Sequence, residues 1–109
     1  MAKKKPESKE EIYTRLGSEI GKLVGAKQEA YGDSFGRSGD CLRQMYPNGI
    51  TPDKYDDLLT IARMLDKLFR IASAPDAFEE NPYRDLAGYS LLGMTRYEEQ
   101  HDPKKTKED

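Results

Sequence analysis

The sequence predicts an all-α fold: a small helical bundle of three main helices and a short one, completed by oligomerisation. Three observations carry this reading. Apolar residues recur at helical spacing in three segments. Strong helix starts precede two of them, Thr51-Pro52-Asp53 and Asn81-Pro82. No stretch alternates with the period of two that marks a half-buried strand, and no long internal repeat appears.

The first helix begins at Ser8. Ser8-Lys9-Glu10-Glu11 fits a capping box, in which a hydroxyl and a carboxylate satisfy each other's free backbone N–H groups. Ile12, Leu16, Ile20 and Leu23 then form an apolar stripe, and Gly32 is the natural stop. A short second helix is expected over Gly39–Tyr46, with Leu42 and Met45 facing in. The tract 33–39 before it reads as a glycine-bearing loop. Pro47-Asn48-Gly49 marks a turn. The third helix runs from Pro52 to Ala72, with Thr51 as its cap. The fourth runs from Pro82 to about Tyr97.

The chain has 109 residues, which suits one domain with a modest core. Residues 1–8 and 99–109 are polar and aperiodic and are expected to be disordered tails around a domain at 9–98. His101 falls in the second tail, where a solvated role is expected. Apolar residues make up 36% and charged residues 35%, with a net charge of −2. That balance argues against a grip on nucleic acid through bulk positive charge. No apolar run is long enough to span a membrane. Cys41 is the single cysteine, so no internal disulfide is available. With no signal peptide recognised, a cytoplasmic setting is expected.

The chemistry-bearing residues are ionisable groups beside apolar stripes. Glu19 and Lys27 fall within or next to the stripe of the first helix. Asp57 falls inside the apolar arc of the third. Arg63, Lys67 and Arg70 gather on that helix's polar face, and Asp85 opens the fourth helix on the side shared with Tyr89 and Leu92. Buried carboxylates are costly unless paired or metal-bound. Several converging from three helices point to a polar site in a bundle, and oxygen ligands suit Mg²⁺ or Mn²⁺. The competing reading is structural: Glu19 and Lys27 pairing with Asp57 or Asp85, and Asp85 simply complementing a helix N-terminus. Likewise, the Arg63–Lys67–Arg70 face reads as a solvated or interface face, or as a phosphate clamp. No P-loop, CxxC pair or HExxH motif is present.

Lys27–Gly32 (KQEAYG), Tyr55-Asp56-Asp57, Asp66–Ile71 (DKLFRI) and Asp85–Tyr89 (DLAGY) followed by Leu91-Leu92 together resemble the phage nucleotide modification associated domain 1 family. That family is similar in turn to MazG-like all-α nucleoside triphosphate pyrophosphohydrolases. The resemblance spans about residues 19–94 and implies a helical bundle, often an oligomer, linked to phage nucleotide metabolism. MazG-like enzymes hold Mg²⁺ with paired ExxE and ExxD motifs. Here the third helix has no ExxE, and only Asp85 matches the last acidic position.

Three functions follow as expectations. A pyrophosphohydrolase would hold Mg²⁺ with Asp57, Asp85 and Glu19, with Lys27 neutralising developing charge. A nucleotide-sequestering anti-defence protein would bind without cleaving, through Lys27, Tyr31, Arg37, Arg63, Lys67, Arg70 and Tyr89. A module that docks a host protein would use the small residues around Ala87, Gly88 and Gly93 as a close-packing surface.

Overall fold

The structure, a computed structural model, describes residues 5–102. The parts of the expected tails at 1–4 and 103–109 lie outside the described residues. Four helices follow in order: α1 (Lys9–Ala30), α2 (Ser34–Met45), α3 (Tyr55–Ser73) and α4 (Pro82–Gln100). Single 3-10 turns at Pro52–Lys54 and Ala77–Glu79 precede α3 and α4. No strand occurs among the described residues, so the expected all-α class holds.

Local signals account for most boundaries. Ser8 Oγ accepts the Glu11 N–H at 3.1 Å, which is the N-terminal cap expected from the capping box. Asn81 Oδ1 accepts the N–H groups of Tyr83 and Arg84 at 3.0 and 3.4 Å, and Pro82 occupies the first turn of α4. At the other end of α1, Gly32 has φ +59°, the left-handed conformation that closes a helix.

Three boundaries differ from expectation. The second helix starts at Ser34, not Gly39, because Asp33 caps it: its side chain accepts the Gly36 N–H at 3.2 Å. Thr51 makes no cap bond, its hydroxyl turning instead to the Asp53 carboxylate. The fourth helix continues to Gln100. His101 then ends it, with Nδ1 2.8 Å from the Tyr97 carbonyl and its exposed ring stacked on Tyr97 at 3.9 Å.

The helices do not close into a single-chain bundle. The radius of gyration is 20.9 Å, against about 13 Å for a compact chain of this length. The extents are 76 × 35 × 31 Å. The core is small, with Ala30 and Leu65 its buried apolar residues. α3 lies at the centre, against both α2 and α4. α1 projects outward, and Ala30 is its only buried residue. Leu16, Ile20, Leu23 and Val24 are all exposed. Gly17, Gly21 and Gly25 each cost about 1 kcal/mol relative to alanine within a helix. Nothing lies within 4 Å of where their Cβ atoms would be. An isolated helix of this kind draws little support from the rest of its chain.

A charged seam joins α3 to α4. Arg96 of α4 donates to Asp57 Oδ1 and Thr60 Oγ1 of α3, both at 3.0 Å. Lys67 meets Asp85 at 3.2 Å. Early α3 thus meets late α4, and late α3 meets early α4, so the pair is antiparallel. On the polar face of α3, Lys67 and Arg70 are covered while Arg63 stays exposed, and Leu65 of the apolar arc is buried. Part of that arc lines an open apolar groove with Met45 and Leu86, formed by Ile61, Met64, Leu65 and Leu68.

Candidate functional site

Six of the expected site residues gather where α1 ends. Tyr31 closes α1 and sits under the Lys67 ammonium, whose nitrogen is 5.8 Å from the ring centroid. Lys67 bonds Asp85 and lies in the field of Tyr89. Lys27, one turn before Tyr31, places its nitrogen 5.8 Å from the ring centroid of Phe78 in the turn before α4. Such cation–π contacts contribute modestly at exposed sites. Arg37 of α2 lies 5.0 Å over the Phe69 ring and donates to the Gly32 carbonyl at 3.3 Å. It braces the α1–α2 corner.

Beside this cluster runs an open groove of about 700 Å³ between late α1, early α2 and α3. Lys27, Gln28 and Tyr31 line it from α1, Ser34 and Phe35 from α2, and Asp66 from α3. Leu23 and Val24 form its apolar end. Phe35 is 93% exposed, an unusual state for a phenyl ring on a helix. The Lys27 ammonium has no carboxylate partner among the described residues, whereas Lys67 is held by Asp85.

The Lys67–Asp85 pair is the most enclosed charged contact in the cluster, with the lysine side chain 15% exposed. Burial pulls the Lys67 pKa down. The hydrogen bond to Asp85 and the electrostatic pull of Tyr31, Asp85 and Tyr89 outweigh it, and the pKa stands above the usual lysine value. A pKa raised by folding gives stability that is full below the unfolded value of about 10.4 and is lost as pH rises through the folded value. Urea midpoints of wild type and Lys67→Met should therefore differ at pH 9, and the difference should shrink as pH rises through the raised Lys67 value. A gap that stays constant would show that the Lys67 charge is not what stabilises the contact.

The other expected residues are dispersed. Glu19 lies on exposed α1, 3.6 Å from Arg15. Asp57 is tied to Arg96, and its side chain is 74% exposed rather than enclosed by the apolar arc. Glu19, Asp57 and Asp85 do not meet, and each has a cation as its neighbour. Among the described residues, no group of three or more His, Cys, Asp or Glu is placed to hold a metal ion. The Mg²⁺ set expected from the sequence is thus not assembled among the described residues.

The helix-three cations part company. Arg63 is exposed, and Lys67 joins the cluster. Arg70 is 0% exposed. Its Nη1 meets Glu80 Oε2 at 2.9 Å, and its Nη2 donates to the Pro75 carbonyl at 3.4 Å and to the Glu80 carbonyl. It clamps the segment between α3 and α4, and a three-cation phosphate clamp is not formed.

Sequence reasoning left Phe35 and Ser34 out of the site because it placed 33–39 in a loop, and it did not single out Gln28 on the first helix. A usable signal was present: Asp33 stands three residues before Gly36, the spacing of an N-cap side chain and the N–H it accepts. Among the described residues, no helix is long and apolar enough to cross a membrane. Compared with known proteins, the chain matches no family model, no curated protein and no solved structure.

Proposed function

We propose that this chain binds a nucleotide, or a closely related phosphorylated ring compound, in the groove between α1, α2 and α3, and holds it without cleaving it. The observation that carries this reading is one groove that offers a lysine without a carboxylate partner beside two accessible aromatic rings. Lys27 suits a phosphate, since hydrogen bonds to charged groups are the stronger ones. Tyr31 and the 93% exposed Phe35 offer faces for a base, and base–aromatic stacking contributes about 1–3 kcal/mol. Asp66, at the groove's edge, can accept N–H groups from the base.

Binding is favoured over hydrolysis because the acidic residues needed for metal chemistry are engaged elsewhere. Asp85 holds Lys67 and Asp57 holds Arg96. The departure from the ExxE and ExxD motifs of MazG-like enzymes supports the same reading.

Calorimetry on the full chain with mono-, di-, tri- and cyclic nucleotides, with and without Mg²⁺, tests the proposal. The expected result is binding by at least one class, with no pyrophosphate or phosphate released. Lys27→Ala should weaken it about tenfold or more, as expected for a lost charge-assisted hydrogen bond. Absence of binding across the panel rejects the site, and unchanged affinity in Lys27→Ala removes Lys27 from it. Pyrophosphate release would replace sequestration with catalysis.

A further inference from the structure

We infer that the phosphate of the bound ligand sits on the first turn of α2, held by Ser34, and that the ligand carries a single phosphate: a nucleoside monophosphate. This deepens the nucleotide reading above and rests on it. Ser34 is the residue that points there. It lines the groove and is 6% exposed, yet its hydroxyl makes no hydrogen bond among the described residues. Ser38 Oγ and Arg70 Nε are also without partners, but both are sealed from solvent. Ser34 Oγ is not sealed, and the groove is the opening it faces. A polar group this deeply placed is normally satisfied, and here the groove is where a partner can reach it.

The backbone adds to the hydroxyl. Ser34 and Phe35 are the first two residues of α2, a helix of 12 residues. Their N–H groups make no hydrogen bond among the described residues, because the capping Asp33 accepts those of Gly36 and Arg37 instead. Free N–H groups at a helix start, together with the roughly half positive charge of the helix dipole there, favour an anion. Lys27, without a carboxylate partner, lines the same groove from α1. A hydroxyl, two N–H groups and an ammonium then converge on one end of the groove.

Charge sets the number of phosphates. Lys67 is held by Asp85, and Arg37 is engaged with the Gly32 carbonyl and the Phe69 ring. Lys27 is thus the groove's uncommitted cation. Two carboxylates oppose it. Asp33 is exposed and takes donors from Gln28 and Gly36. Asp66 lines the groove, half-buried, with no hydrogen bond or ion pair among the described residues. One phosphate brings about two negative charges, which a lysine and a helix start go most of the way to balancing. Each further phosphate would add charge to a groove that has no second uncommitted cation and already holds an unpaired carboxylate. Asp66 suits the amino edge of a base, not a phosphate chain.

Calorimetry on the full chain without added Mg²⁺ compares the 5′-monophosphates of adenosine, guanosine, cytidine and uridine with their triphosphates. At least one monophosphate should bind about tenfold or more tightly than its triphosphate. Ser34→Ala should weaken that monophosphate about tenfold or more, the scale of a lost hydrogen bond to a charged group. Its urea midpoint should stay at the wild-type value, because the hydroxyl bonds nothing within the chain, so lost binding is not lost folding. Asp66→Asn should narrow the gap between monophosphate and triphosphate. Triphosphates that all bind as tightly as their monophosphates overturn the single phosphate, and an unchanged gap in Asp66→Asn overturns the charge argument for it. A Ser34→Ala chain that binds like wild type removes the phosphate from α2. Each of these outcomes leaves the nucleotide reading standing, whereas no binding by any compound rejects that reading and this inference with it.

Discussion

Replacing Arg70 by methionine should destabilise the folded chain by about 3 kcal/mol, the scale of losing one member of a buried charged contact. Methionine fills part of the volume but supplies no donor. The loss is then spread over the carbonyls of Pro75 and Glu80 and the Glu80 carboxylate. Those acceptors hold a strained segment: Phe78 and Glu79 both have positive φ, at 61° and 55°. Non-glycine residues in that region cost about 1–2 kcal/mol each and persist only where neighbours enforce them. Without the clamp, the segment should relax and carry Phe78 away from Lys27. Urea unfolding monitored by circular dichroism measures the loss. Arg70→Lys should recover only a minor part, because an ammonium cannot reproduce the fork that reaches several acceptors. Glu80→Gln should be mild, since that side chain is 54% exposed. An Arg70→Met chain within 1 kcal/mol of wild type would show that the segment holds itself.

Gly32→Ala should cost about 2 kcal/mol, from two sources that can be separated. The first is the backbone: φ is +59°, where an L side chain costs about 1–2 kcal/mol. The second is contact: an added Cβ would lie 2.1 Å from Ser73 Oγ and 3.2 Å from Ser73 Cβ. Ser73 ends α3, so Gly32 is where the close of α1 meets the close of α3. The double change Gly32→Ala with Ser73→Gly should return the contact part of the loss and leave the backbone part. Full recovery in the double variant would mean that φ at this corner can relax. A loss below about 0.5 kcal/mol in the single variant would mean that the corner shifts freely.

How much was legible in the sequence differed from element to element. The start of α1 at Ser8, the stop at Gly32 and the start of α4 at Asn81-Pro82 were read correctly, because each is decided by atoms within three or four residues. The start of α2 was misread because Gly36 and Gly39 weaken helix propensity. The Asp33 side chain overrides them by satisfying a free N–H of the first turn. Of the expected site, Lys27, Tyr31, Arg37, Lys67, Asp85 and Tyr89 are neighbours, while Glu19 and Asp57 lie apart. Arg70, expected on a polar face that meets a ligand, is instead fully buried, the most buried side chain among the described residues.

The sequence by itself determined the helical class, the turns and which residues share a face of each helix, because caps, breakers and periodicity are short-range properties of the backbone. Only the tertiary structure decided which face is covered. The wheel of α3 separates a polar side from an apolar one, but which residues of each are covered depends on Arg96 reaching Asp57 and Asp85 reaching Lys67, partners supplied by another helix. Lys67 and Arg70 are covered on the polar side while Arg63 stays exposed, and Leu65 is buried on the apolar one. Much of the apolar surface, on α1 above all, is left facing outward.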